Sequence, residues 1–183
     1  MSDQKFYKFF DDYLEEHLRQ CPVHASQLGD HRYDDQIEDL SVEARQNRTA
    51  LQRQTLSRLA GEISLGDLSR SAQIDLEVFR HHLEEQSWLA EHIPAFEEDP
   101  RTYNHYLSGS VYSLLTQSSL PHEENISNVI ARIRQLPEVV ATARRTLTSP
   151  ALPVLETSIN QNRGVIGFYE EEIYEVVGDS TQY

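Results

Sequence analysis

Apolar residues recur every three or four positions through almost all of this 183-residue chain. That period is the one a helix face requires, and it restricts the fold more than any other feature. Between Asp3 and Gln20, Phe6, Phe9, Phe10, Tyr13, Leu14, His17 and Leu18 share one face. Pro22 opens a short second turn over Val23 to Leu28, and Gly29 supplies its stop. Ser41 can cap a helix with Ala44 to Ile63 as its body, where Leu51, Leu56, Leu59, Ala60 and Ile63 form a stripe. Ser69 or Ser71 can cap a longer helix ending near His92, with Ile74, Val78, Phe79, Leu83, Trp88 and Leu89 as a wide apolar face. Tyr103 to Thr116 reads as a helix rich in aromatics. Ile126, Val129, Ile130, Ile133 and Leu136 make a further stripe. Pro137 fits the first turn of a separate helix carrying Val140, Ala143 and Leu147. The last helix spans Pro150 to Val177, with Leu155, Ile159, Ile166, Tyr169, Ile173 and Val177 on one face; Gly164 and Gly167 weaken its middle. Alternation of the strand type never persists beyond a few residues. The expected fold is all-α, an array of six to eight helices forming a single domain over 1–183.

A chain of this length can bury roughly 70% of its unfolded surface, so a true core is available. Its formal net charge of −14 repels phosphate backbones and anionic lipid, which argues against nucleic-acid and membrane partners. The single cysteine, Cys21, cannot close an internal disulfide. It follows Leu18-Arg19-Gln20, not the small residues a lipoprotein signal needs. No apolar run approaches the ~20 residues of a membrane span, and Met1 to Phe6 lack a leader pattern. The expected location is the cytoplasm.

Several catalytic chemistries can be tested by spacing. A zincin needs His-Glu-x-x-His on a helix, but His122-Glu123 is followed by Glu124, Asn125 and Ile126. A di-iron bundle needs Glu-x-x-His, and none of the eight histidines has a glutamate three residues before it. His81, His82, Glu84 and Glu85 fall at helical spacing, a pattern more typical of surface ion pairs than of ligands. No Gly-x-Ser-x-Gly elbow is present, and Cys21 ends a helix, where the dipole disfavours a thiolate. Nucleophilic catalysis is therefore not expected, nor is any cofactor in this chain.

The densest cluster of functional groups runs from Gln27 to Asp35, in a break after the first helices. Asp30, His31, Arg32, Tyr33 and Asp34 are the candidate contacts for a substrate or another domain. Arg32 can clasp a carboxylate in two parallel bonds, and His31 and Tyr33 can donate hydrogen bonds. The competing reading is a self-satisfied loop, with Arg32 paired to Asp30, Asp34 or Asp35 and Tyr33 packed on the first helix.

These motifs also occur together in a known order. "FYKFFDDYLEEHL", "LGDHRYDD", "LSRSAQIDLEVFRHHLE", "EEDPRTYNHYL" and "ARIRQLPEVVATARRTL" resemble the N-terminal part of a bacterial family catalogued as domain of unknown function 885. The resemblance implies a helical fold like that of zinc carboxypeptidases of the gluzincin type. It implies that zinc and its His-Glu-x-x-His ligands belong to a region further downstream in a complete member. This chain would then be the N-terminal scaffold and substrate-cleft domain of a metallopeptidase-like hydrolase, not catalytic by itself. Its partners would be the missing C-terminal catalytic region and a peptide substrate. Val177 to Tyr183 reads as a connection within a longer protein. The alternative is a stand-alone helical binding protein that dimerises or pairs with a protein partner.

Overall fold

The structure, a computed structural model, describes residues 2–178. Eight helices carry the described chain: α1 (Ser2–Gln20), α2 (Pro22–Gln27), α3 (Val42–Glu62), α4 (Arg70–His92), α5 (residues 101–117), α6 (His122–Ile133), α7 (Leu136–Thr146) and α8 (residues 152–177). A single turn, Ala95–Glu98, precedes α5. No strand occurs among the described residues, as the unbroken helical period requires. Among them, no helix is long and apolar enough to cross a membrane. Of the Val177–Tyr183 connection, residues 179–183 lie outside the described part.

The helices group into two units. In the first, α1, α3 and α4 enclose a core of Phe6, Phe9, Tyr13, Leu59, Leu68, Leu76, Phe79 and Leu83. The Tyr13 and Phe79 rings meet at 5.1 Å. The hydroxyl of Ser41 accepts from the Ala44 amide at 3.2 Å and that of Ser69 from the Ala72 amide at 3.4 Å, so both serines cap their helices. The wide face predicted for α4 is only partly used. Ala72, Leu76, Phe79 and Leu83 form the buried seam, whereas Ile74, Val78, Trp88 and Leu89 are exposed, Val78 at 64%. Successive helical residues turn by about 100°, so positions two beyond the seam point away from it. Ala60, one step beyond buried Leu59, is exposed for the same reason.

The second unit holds α2, the segment up to Leu40, and the described residues from Pro94 to Gly178. Two apolar clusters support it. Val23, Ile37, Leu40, Tyr103 and Val139 form one; Val111, Leu114, Val129, Phe168 and Ile173 form the other. The irregular stretch after Asp34 is held down by Ile37 and Leu40, both buried. Helix α5 passes through a π-helical turn at His105–Gly109, and α8 through another at Phe168–Glu172. The N-terminal half of α8 also departs from expectation: Leu155, Ile159 and Ile166 are exposed, as is Leu152 at 66%. Only the half around Phe168 and Ile173 meets a core.

Candidate functional site

The loop after α2 is built by backbone geometry first. Gly29 adopts φ of +83°, the left-handed conformation that ends a helix. Its amide bonds the Ser26 carbonyl at 3.1 Å, and the Asp30 amide bonds the Ala25 carbonyl at 2.9 Å. These two reversed bonds satisfy the last carbonyls of α2 and turn the chain sharply. Asp30 then caps a one-turn helix, His31–Tyr33, accepting from the Arg32 amide at 3.2 Å. One turn places His31 and Asp34 side by side.

That turn feeds a continuous polar chain. His31 Nδ1 lies 2.8 Å from Asp34 Oδ2. Asp34 is only 1% exposed, and its other oxygen accepts a short hydrogen bond from the Ser26 hydroxyl. Ser26 in turn accepts from Arg132 Nη2 at 2.6 Å. Arg132 is completely buried, with Nη1 donating to the Ser110 carbonyl at 2.6 Å and Nη2 reaching the Pro22 carbonyl at 3.5 Å. Its Nε has no hydrogen-bond partner. Burial pulls the Arg132 guanidinium below its ordinary range, and the carboxylates of Asp34, Glu38 and Asp35 oppose that shift. At the far end, His31 Nε2 lies 2.9 Å from the hydroxyl of Ser119, which is exposed. A cleft of about 320 Å³ opens there, lined by Ser26, Leu28, His31, Ser113, Leu114, Gln117 and Ser119 among others.

The other loop candidates form a separate pair. Arg32 forks onto Asp30, with Nε at 2.9 Å from Oδ1. This bond holds the Asp30 carboxyl below its usual range. Arg32 also lies over the Tyr33 ring at 5.4 Å. Thus Asp30 and Arg32 satisfy each other, His31 and Asp34 join the buried chain, and Tyr33 lies beside Arg32. Asp34 is turned inward, so it reaches a ligand only through His31.

Sequence reasoning missed Ser26, Ser119 and Arg132. Arg132 carried a signal: it falls three residues after Val129, in phase with the buried stripe of α6. The two serines carried none.

A second cleft, about 520 Å³, lies along the π turn of α5, with Arg101, His105, Tyr112, Gln161 and Phe168 in its wall. A Cβ on Gly109 would stand 3.3 Å from His105 Nδ1, so the glycine lets that ring lie flat on the helix. Arg101 is engaged by Asp99 at 2.6 Å. Asn104 donates to the carbonyl and the hydroxyl of Ser158, both at 3.2 Å. Among the described residues no three His, Cys, Asp or Glu side chains converge as metal ligands. His122 Nε2 donates to the Val177 carbonyl at 3.2 Å, and Glu84 lies 3.9 Å from Arg80.

The fold and the site define a helical domain whose first long loop is anchored by a buried guanidinium–hydroxyl–carboxylate–imidazole chain. The profile of the family described as Bacterial protein of unknown function (DUF885) matches residues 22–182, and the chain belongs to that family. A solved structure of a candidate lipoprotein of unknown function from Shewanella oneidensis is similar at a TM-score of 0.84 and 22% identity. The match covers 96% of this chain and 32% of that one, so the two share a fold and this chain spans about a third of that protein's length. No curated protein matches the chain.

Proposed function

We propose that this chain is the N-terminal helical scaffold and substrate-cleft domain of a larger metallopeptidase-like hydrolase. The observation that carries the reading is one of length: 96% of this chain falls within 32% of the solved neighbour. The exposed stripe of Leu152, Leu155, Ile159 and Ile166 on α8 supports it, because a further lobe would cover that face. The residues present do not fit zinc, since His122-Glu123-Glu124-Asn125-Ile126 lacks the second imidazole. Metal-dependent chemistry is therefore assigned to sequence outside these residues. Within the loop, Arg32 offers an exposed fork that a peptide C-terminal carboxylate could take in exchange for Asp30. His31, Tyr33 and the buried Asp34 would shape the surface beside it.

The test begins with the coding sequence beyond Tyr183 and the mass of the native protein. The expected result is a mass well above 21.1 kDa and a His-Glu-x-x-His motif in the added segment. In that protein, Arg32→Ala should raise the KM for peptide substrates. A stop codon after Tyr183, or an unchanged KM, would overturn the corresponding part of the reading. A second reading, a stand-alone helical protein that dimerises or binds a partner, is favoured by the same exposed stripe. A native 21.1 kDa chain that elutes as a dimer would select it. A cytoplasmic location is part of the proposal, and fractionation of native cells tests it against the neighbour's description as a lipoprotein.

A further inference from the structure

We propose that Ser119, His31 and Asp34 form a serine-hydrolase centre acting on small, uncharged esters. The inference goes beyond the scaffold reading and does not depend on it. It rests on three observations. First, the imidazole bridges both neighbours: Nδ1 is 2.8 Å from Asp34 Oδ2, and Nε2 is 2.9 Å from Ser119 Oγ. With Nδ1–H donated to the carboxylate, Nε2 presents its lone pair to the serine hydroxyl, the arrangement that activates a weak nucleophile. Second, the orienting carboxylate is fixed from behind. Asp34 is buried, its second oxygen is held by Ser26, and Ser26 is held by the buried Arg132. Third, the nucleophile is exposed and opens on a cavity, so an acyl carbon can reach it.

The cavity sets the substrate class. Its volume of about 320 Å³ is at the small end for ligand sites. No Asp, Glu, Lys or Arg lines it, which favours a neutral molecule. Leu28 and Leu114 can face the alkyl part of an acyl group. Gln27 and Gln117 line the same space, and a side-chain amide there can donate to a developing oxyanion.

The reaction balances within these groups. Ser119 Oγ attacks the ester carbonyl carbon as its proton passes to His31 Nε2. The tetrahedral intermediate collapses, the C–O bond to the alcohol breaks, and the leaving oxygen takes the proton from Nε2. Water then attacks the acyl-serine, giving a proton to Nε2. As the carboxylic acid leaves, that proton returns to Ser119 Oγ. Asp34 stays ionised and offsets the imidazolium formed in both steps.

The test uses the intact chain, a fluorophosphonate probe and p-nitrophenyl acetate and butyrate as substrates. The expected result is one label per chain, mapped by peptide mass spectrometry to Ser119 and unaffected by a metal chelator. Ser119→Ala lies on the surface, should keep its circular dichroism spectrum, and should lose the label. His31→Ala should slow labelling and turnover by on the order of 10²–10⁴-fold. Ser57→Ala, on the exposed side of α3, should behave as wild type. No labelling at millimolar probe over hours would overturn the proposal. So would ester turnover by Ser119→Ala at the wild-type rate, with or without loss in His31→Ala.

Discussion

Replacing Arg132 by Met is the most demanding test of how the loop is held. The guanidinium is fully buried and supplies two bonds of 2.6 Å, to the Ser110 carbonyl and the Ser26 hydroxyl. Methionine fills a similar volume but donates nothing. The Ser110 carbonyl loses this partner, and the Asp34 carboxylate keeps its burial while losing the cation behind Ser26. Removing one side of a buried charge pair costs about 3–5 kcal/mol, chiefly because the other charge is stranded. That is a large share of the ~5–15 kcal/mol that holds a domain folded. At an m-value of about 2 kcal/mol per molar urea, the midpoint falls by roughly 1.5–2.5 M. The assay must follow the right unit. Trp88 is on α4, in the first unit, whereas Arg132 belongs to the second. Far-UV circular dichroism and exchange protection of α6 amides should therefore shift, and Trp88 fluorescence alone does not suffice. Adding Asp34→Asn should restore part of the loss, with a coupling of about 0.5–3 kcal/mol. If Arg132→Met unfolds within about 1 kcal/mol of wild type at pH 7, the buried cation does not hold the network, and the argument fails.

Gly29→Ala tests backbone strain alone. No atom lies within 4 Å of where its Cβ would stand, so the loss of about 1–2 kcal/mol comes from the left-handed φ; Gly164→Ala, in the interior of α8 and equally free of close neighbours, should instead stabilise by about 0.5–1 kcal/mol. Paired urea melts compare the two, and equal signs would contradict the reading. Tyr169 gives a pH prediction. Burial pushes its phenol up, so above pH ~10 the unfolded chain ionises while the folded chain resists. Its contribution is complete below that pH and fades as pH climbs toward the raised value. Tyr169→Phe, which also removes the bond to the Leu107 carbonyl, should be less stable at pH 7 by about 0.5–1.5 kcal/mol and lose stability less steeply between pH ~10 and ~11. Urea midpoints measured across that range check both.

Local chemistry was legible in the sequence wherever one residue decides the outcome. Phe6, Phe9, Tyr13 and Leu18 bury the face that their spacing predicts. Ser41 and Ser69 cap because a hydroxyl there can reach a free amide, and Gly29 stops α2 because it tolerates a positive φ. What periodicity does not reveal is which part of an apolar face a neighbour covers. Val78 and Ile166 match the pattern as well as Phe79 and Ile173, yet they face solvent. The site was half legible for a related reason. His31 and Asp34 are three residues apart and meet through one turn. Ser119 reaches His31 across 88 residues and Arg132 reaches Ser26 across 106, separations that only tertiary packing can close.

The π turn at His105–Gly109 has a consequence for the thread of α5. One extra residue in a helical turn offsets everything beyond it by about 100° about the axis. Before the turn, Tyr103 enters the cluster of Val23, Ile37 and Val139. After it, Val111 and Leu114 enter the cluster of Val129, Phe168 and Ile173. On a uniform screw Val111 would stand about 80° and Leu114 about 20° to one side of Tyr103, and the extra residue carries both across to the other side, by about 20° and 80°. Deleting one residue from the turn would mend the thread and swing both side chains back by about 100°, away from the cluster they now enter.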